Sequence, residues 1–184
     1  MSRSRLCRQD SEQLLPGPAF PTSPIRVEVV HYLGVDGPTD RVQISPADAR
    51  PGVVVVAREP GERIAVIRQF RAALDAEVWE LPRGLGSSGS PAQDAARELE
   101  EETGARAHHL EPLGHIHPDP GVQRQQMVVV RARVPEATTQ PSDVEEIAEV
   151  AWWTPGELCE AVRTGVLRDG ISLAALHVDA VMPG

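Results

Sequence analysis

The sequence predicts a single α+β domain, or helices sandwiching a mixed sheet, and three observations predict it. The 184 residues suit one domain with a real core and are too few for two comfortable ones. Short apolar, β-rich segments recur along the chain, whereas helical periodicity is confined to a few stretches. No internal repeat breaks this alternation.

The elements follow in order. Residues 1–24 are polar, with Pro16, Pro18, Pro21 and Pro24 spaced through them, and read as a flexible lead. Arg26–Leu33 is β-rich, Gly34–Asp40 is turn-like and a second strand runs through Asp40–Ile44, so 25–46 holds N-terminal strands and 47–184 the main domain. Gly52–Ala57 and Arg63–Gln69 are apolar strands joined through Arg58–Gly61, a hairpin signal. Trp79–Leu81 is a short strand that stops at Pro82. Ser90-Pro91-Ala92-Gln93 offers an N-cap, a proline at the first helical position and Gln at the third. Ala92, Ala95, Ala96 and Leu99 then recur at helical spacing until Gly104. Leu113–His117, Gln126–Val134 and Glu149–Trp153 are β-type. Of the adjacent Trp152 and Trp153, one indole is expected in the core and the other outside. Thr154-Pro155-Gly156-Glu157 opens a helix to about Thr164, and Ile171–Val181 suggests another.

Composition narrows the function classes. A net charge of -9, from 18 basic residues that are all Arg and 27 acidic ones, argues against nucleic-acid or membrane-surface binding. Small phosphate substrates survive this test, because an acidic protein can recruit divalent cations. The two cysteines, Cys7 and Cys159, make neither a disulfide framework nor a thiolate zinc site, which suits a reducing cytoplasm. Met1–Leu14 has no apolar stretch of the signal-peptide kind, and no run approaches membrane-spanning length.

The chemistry-bearing run is Arg97-Glu98-Leu99-Glu100-Glu101-Glu102-Thr103-Gly104. On a helix Glu98, Glu101 and Glu102 share a face, while Glu100 points elsewhere. Three like charges on one face repel by roughly a few tenths of a kcal/mol per pair. A plain solvated acidic face is one outcome of such a run. A hard divalent ion, Mg²⁺ or Mn²⁺, would reverse the sign of the repulsion and take substrate phosphates as further ligands. Arg97 is spaced to pair with Glu101. His108, His109, His115 and His117 have no third ligand at metal spacing and read as structural or solvated.

Gly84 followed by a loop, the capped helix and R-E-L-E-E-E-T-G resembles the Nudix box, G-x5-E-x7-R-E-U-x-E-E-x-G-U with U apolar. The half from Arg97 to Ala105 matches at each fixed position. The upstream half is one residue short and carries Ser90 where counting from Gly84 places Glu, with Asp94 the nearest other carboxylate. The resemblance extends to the ADP-ribose pyrophosphatase subfamily. Ile67–Arg71 with Trp79–Gly84 is similar to its R-Q-Y-R…W-E-L-P-A-G run, and Pro120-Gly121 falls at its marker Pro-Gly. Gly165–Leu176 is similar to its G-x-I-x-D-x-x-T-x-x-A-L ending.

That resemblance, over roughly residues 50–178, implies a Nudix-type α/β/α sandwich with a mixed central sheet and N-terminal dimerisation strands. It implies Mg²⁺- or Mn²⁺-dependent hydrolysis of a nucleoside diphosphate linked to another group, ADP-ribose first, to AMP and ribose 5-phosphate. Sugar-nucleotide hydrolysis and a catalytically weak nucleotide-binding regulatory module are the alternatives. The metal set it implies is Glu98, Glu101, Glu102 and the backbone carbonyl of Arg83, which replaces a small residue. Glu145 or Glu146, in the acidic stretch Ser142–Glu146, is the implied general base. Arg68 and Arg71 could clamp phosphates, with Glu80 beside them in the substrate-binding set. In a homodimer, Tyr32 would supply a stacking aromatic to the partner's adenine. Where the subfamily places a Glu after the Pro-Gly, this chain has Gln123, Arg124, Gln125 and Gln126.

Overall fold

The computed structural model describes residues 7–13, 25–46, 50–87 and 89–183. They fall into two compact units, one of residues up to Arg50 with His117–Gln125, the other of Pro51–Ile116 with Gln126 onward.

In the first unit, β1 (Cys7–Gln13), β2 (Ile25–Gly34) and β3 (Gly37–Pro46) form an antiparallel sheet in that order. The β2–β3 hairpin turns through Val35 and Asp36, with Gly37 at φ 117, so the turn is tighter than Gly34–Asp40. Within the expected flexible lead, Cys7–Gln13 is therefore a strand. This stretch contains neither proline nor glycine, and all four spaced prolines follow it. Residues 1–6 and 14–24 of that lead lie outside the described residues. The Pro120-Gly121 segment docks on β3, with Ile44 N donating to Val122 O (2.8 Å) and Arg124 N to Ile44 O (3.0 Å).

The second unit is built on a seven-stranded mixed sheet. Its main path runs β10 (Ile147–Trp153), β5 (Ile64–Arg71), β4 (Gly52–Arg58), β9 (Met127–Arg133), β8 (His109–Ile116). Only β4 and β9 pair in parallel. Their Val-rich runs are buried on both faces, as a central strand requires. Alternate residues of β4 feed two cores. Val53, Val55 and Ala57 pack with Ala95 and Leu99 of α1 (Pro91–Thr103). Val54 and Val56 pack with Leu158 and Ala161 of α2 (Pro155–Thr164) and with Ala175 of α3 (Gly170–Val181). One helix covers one face and two cover the other, which is the expected α/β/α sandwich.

The caps follow the sequence signals. Ser90 accepts from Gln93 N, and Gly104 ends α1 at φ 75, where a Cβ would collide with the Gln140 carbonyl. Thr154 and Glu157 form a reciprocal capping box at α2. Strands extend beyond their expected bounds: β8 starts at His109 rather than Leu113, running through a register shift between Pro112 and Gly114 that hides the alternation.

One irregularity positions the site. β4 and β5 pair only at Arg58 and Ile64, next to their hairpin, and then splay. The chain fills the gap with β6 (Ala76–Glu80) on β5 and β7 (Arg83–Gly84) on β4, after a short 3₁₀ turn at Ala72–Leu74. Val55 N donates to Pro82 O at 2.8 Å, anchoring the connection between them. Leu81–Gly84 is thereby inserted into the sheet beside α1.

Candidate active site

α1 presents its carboxylates at very different depths. Glu98 and Glu102, four residues apart, are each 8% exposed, whereas the Glu101 side chain is 46% exposed. The inner pair meets β7. A side chain at Gly84 would collide with the Glu98 carboxyl group, so glycine is what admits it. Arg83 N donates to Glu102 Oε2 at 2.9 Å. Arg97 holds the outer rim, with Nη2 on Glu98 Oε1 (2.6 Å) and on Leu85 O (3.1 Å), and Nη1 on Glu101 Oε2 (2.8 Å). The sequence-expected Arg97–Glu101 pair is thus present, with Glu98 added to it.

The shortened loop has its own support. Ser90 is the helix cap, and Asp94, 3% exposed, accepts from Ser87 N (3.0 Å) and Ser87 Oγ (3.1 Å). Asp94, one turn into the helix, thereby ties the preceding loop to α1.

Electrostatics separates these groups. Burial raises the Glu98 carboxyl above its ordinary range, against the opposing pull of Arg97. Glu102 is pushed up to about 8, chiefly by burial. The Arg83 N–H opposes that shift, the charges of Glu98 and Glu80 add to it, and Arg71 opposes it from nearby. Among the described residues no cationic side chain pairs with Glu102.

Glu80 is fully buried and well partnered. Gln69 Nε2 and Arg71 Nη2 donate to Oε1, while Arg71 Nε (3.2 Å) and Arg83 Nη2 (2.6 Å) donate to Oε2. The structure therefore gathers Arg71, Glu80, Arg83, Glu98 and Glu102 around the β6–β7 insertion.

Arg68 does not join them. Strand β5 alternates, so Ala65, Ile67, Gln69 and Arg71 face α1 while Ile64, Val66 and Arg68 face the opposite side. Arg68 lies in a row with Trp79 (5.8 Å to the ring centroid) and Glu149 (2.9 Å), and also pairs with Glu77. Arg68 and Arg71, an odd three residues apart on one strand, thus point to opposite faces of the sheet. Trp153 packs on Trp79 with ring centroids 4.8 Å apart. Trp152 enters the α1-side core with its Nε1 on Thr138 O (2.8 Å). Trp153 is half-buried against the other core, so the expected outward indole is corrected: helices cover both faces.

The acidic stretch Ser142–Glu146 docks on the end of α1. Ser142 N (2.8 Å) and Asp143 N (3.1 Å) donate to Glu101 O. An open pocket here is lined by Glu101, Ser142, Asp143, Val144 and Glu145. Glu146 is exposed, with its N–H on Asp143 Oδ1. Tyr32 belongs to the other unit, where its hydroxyl accepts from Gln43 Nε2 at 2.8 Å.

Together, a splayed mixed sheet between helix layers and a helix presenting buried glutamates to a Gly-containing β insertion define one class of domain. Residues 48–175 match the NUDIX domain, and the chain belongs to that family. It is similar to the ADP-ribose pyrophosphatase of Mycobacterium tuberculosis, at 31% identity over 137 residues, 72% of this chain and 66% of that protein. It is also similar to the CMP-5'-(N-acetyl-N-hydroxy-3-aminopropyl)phosphonate hydrolase of Streptomyces rubellomurinus, at 30% identity over 131 residues, 70% of this chain and 64% of that protein. The matches thus span just under two thirds of each relative's length. A solved structure titled as an ADP compounds hydrolase shares the fold, with a TM-score of 0.77 at 19% identity, covering 98% of this chain and 95% of that one.

The donor chemistry suits a hard dication. Glu98, Glu101 and Glu102 with the Arg83 carbonyl are an all-oxygen set, and burying two like-charged carboxylates leaves a site that a cation would neutralise. Among the described residues no three His, Cys, Asp or Glu side chains come together in an arrangement that could hold a metal ion. An ion here would draw its remaining ligands from water and substrate phosphate, as Mg²⁺ ordinarily does.

Proposed function

We propose that the protein is a divalent-metal-dependent pyrophosphohydrolase that cleaves the diphosphate of a nucleoside diphosphate linked to another group. ADP-ribose, giving AMP and ribose 5-phosphate, is the first choice of substrate. The observation that carries this reading is the buried Glu98–Glu102 pair seated against Gly84 and Arg83. Membership of the NUDIX domain family and the named activity of the mycobacterial relative support it.

Mg²⁺ or Mn²⁺ would be held by Glu98, Glu101, Glu102 and the Arg83 carbonyl. When bound it supplies charge neutralisation of the phosphates and a lowered pKa for the attacking water. The chain's own part is orientation and proton handling. Arg97 fixes Glu98 and Glu101. Arg71, already held by Glu80, is placed to exchange one of its donors for a phosphate oxygen. Glu145, across the pocket from Glu101, is the preferred proton acceptor for the attacking water, with Glu146 next to it. Arg68 is proposed only as a rim contact beside Trp79. In a cytoplasmic homodimer built through the N-terminal strands, Tyr32 would stack on the adenine of the partner's substrate.

The test is product analysis on ADP-ribose, sugar nucleotides, dinucleotides, a CMP-linked phosphonate and nucleoside triphosphates, with Mg²⁺, Mn²⁺ or excess EDTA. Release of AMP and ribose 5-phosphate that EDTA abolishes is the expected result. Folded protein that binds a nucleotide but releases nothing under any metal would instead make it a regulatory module.

A further inference from the structure

The C-terminal signature Gly165–Leu176 plays no part in the chemistry just described, yet it touches the site. Asp169 caps α3, accepting Ser172 N (2.9 Å) and Ser172 Oγ (2.7 Å) on Oδ2. Ser172, fully buried, accepts Leu81 N on the same hydroxyl oxygen at 2.8 Å. The other Asp169 oxygen lies 3.5 Å from Arg83 Nη2, and Leu167 forms a β-bridge with Trp79. Leu167 and the head of α3 therefore hold Trp79, Leu81 and Arg83, the last of which seats Glu102 through its N–H.

The chain leaves regular strand at Leu81 and Pro82, between β6 and β7. This break lets N–H groups two residues apart face different helices, whereas an unbroken strand would point both the same way. The N–H groups of Leu81 and Arg83 are two residues apart, the first donating to Ser172 on α3 and the second to Glu102 on α1. The segment is suspended between the two helix layers by these two bonds. The Arg83 side chain adds a strut from Glu80 to Asp169 although its buried Nε finds no partner. An arginine kept only for stability would satisfy that donor, as Arg131 does in its own pocket with bonds from all three nitrogens.

We infer that Ser172, held by Asp169, is a positioning residue that sets Arg83 at the depth where its N–H seats Glu102. This rests on the metal reading of Glu102 and deepens it: a residue seventy positions from the helix tunes the site's affinity for a divalent cation. The role involves no charge on Ser172, so its removal changes position without changing the local field.

The test is calorimetric Mn²⁺ titration of the full chain without substrate, on wild type, Ser172→Ala, Ser172→Thr and Asp179→Asn. Orienting residues behind metal ligands commonly cost about ten- to a hundredfold in affinity when lost. Ser172→Ala is expected to weaken Mn²⁺ by about tenfold, and Ser172→Thr, which keeps the hydroxyl, to recover it. Asp179→Asn, which loosens the opposite end of α3, is expected to lower the melting temperature and leave Mn²⁺ affinity unchanged. Equal affinity in Ser172→Ala and wild type overturns the inference. So does a loss matched by Asp179→Asn, or one that Ser172→Thr fails to recover, since either would assign the effect to packing. Wild type that binds no Mn²⁺ at all overturns the metal reading first, and the positioning role with it.

Discussion

Asp179 and Glu102 are both carboxylates buried where a helix meets the central sheet, and the chain treats them oppositely. Asp179, near the end of α3, takes Arg131 Nε at 2.7 Å and Arg58 Nη2 at 2.5 Å. Burial pulls its pKa up, but the hydrogen bonds from Arg58 and Arg131 outweigh that and hold it below the ordinary value. Glu102 has one backbone N–H, no cationic partner among the described residues, and two carboxylates for neighbours. The first arrangement is complete as it stands. The second gathers carboxylates with no cationic partner for Glu102 among the described residues, and a strongly shifted group in such a setting marks a candidate site rather than a structural ion pair.

The largest expected effect breaks the comparison at Glu102. Glu102→Gln keeps the shape and the Arg83 contact while removing a ligand charge, and turnover should fall about a thousandfold or more with circular dichroism unchanged. A variant retaining most of the wild-type rate would remove Glu102 from the metal site. At the other pole, Arg131→Met strands Asp179 beside Arg58 alone and exposes the Met182 and Pro183 carbonyls to loss of their donor. Removing one partner of a buried pair costs about 3–5 kcal/mol, so chemical denaturation should show that loss while the rate per folded molecule stays near wild type.

The two carboxylates should also divide the pH axis. Glu102 has a folded pKa raised from 4.5 to about 8, so the folded state binds its proton more tightly than the unfolded chain. Its contribution is fully present below about pH 4.5 and is lost as pH rises through about 8, on the order of a few kcal/mol. Asp179 is lowered, so its contribution is present above its ordinary pKa of 3.8 and is lost on acidification below it. Calorimetric melting in EDTA should therefore fall for wild type between pH 5 and about 8.5, fall less steeply there for Glu102→Gln, in which only the raised Glu98 remains, and recover in wild type on adding Mg²⁺ at the alkaline end. Parallel profiles for the two proteins would show that Glu102 does not titrate in this range.

Local signals made much of this legible. Ser90, Pro91 and Gly104 bracket α1 in the sequence as they do in the structure, and the Val-rich runs of β4 and β9 announce central strands. The glutamate face was readable from helical spacing alone. What escaped depends on contacts distant in sequence. Ser172 meets Leu81 across 91 residues, and no period links them. β6 begins at Ala76 because β5 offers it a partner, not because Ala-Glu-Val favours a strand. Asp94 was visible as a nearby carboxylate, but its hold on Ser87 needed the loop's path. The separation of Arg68 from Arg71 was in the sequence and needed only strand parity.

The smallest expected effect sharpens the contrast within α1 itself. Glu100 has the same charge as its neighbours and sits two residues from both Glu98 and Glu102, yet that spacing turns it some 200° around the helix. It meets solvent and the Arg106 guanidinium, with Nη2 at 2.7 Å, and an exposed pair of this kind contributes about 0–1 kcal/mol. Glu100→Gln should therefore change stability by less than about 0.5 kcal/mol and turnover by less than about twofold. Steady-state kinetics beside Glu101→Gln and Glu102→Gln would rank the three by depth and face rather than by charge. Should Glu100→Gln cost as much as Glu102→Gln, the helix would be acting through its summed charge, and the distinction between a buried, cation-seeking carboxylate and a solvated one would fail on the element where it is drawn most sharply.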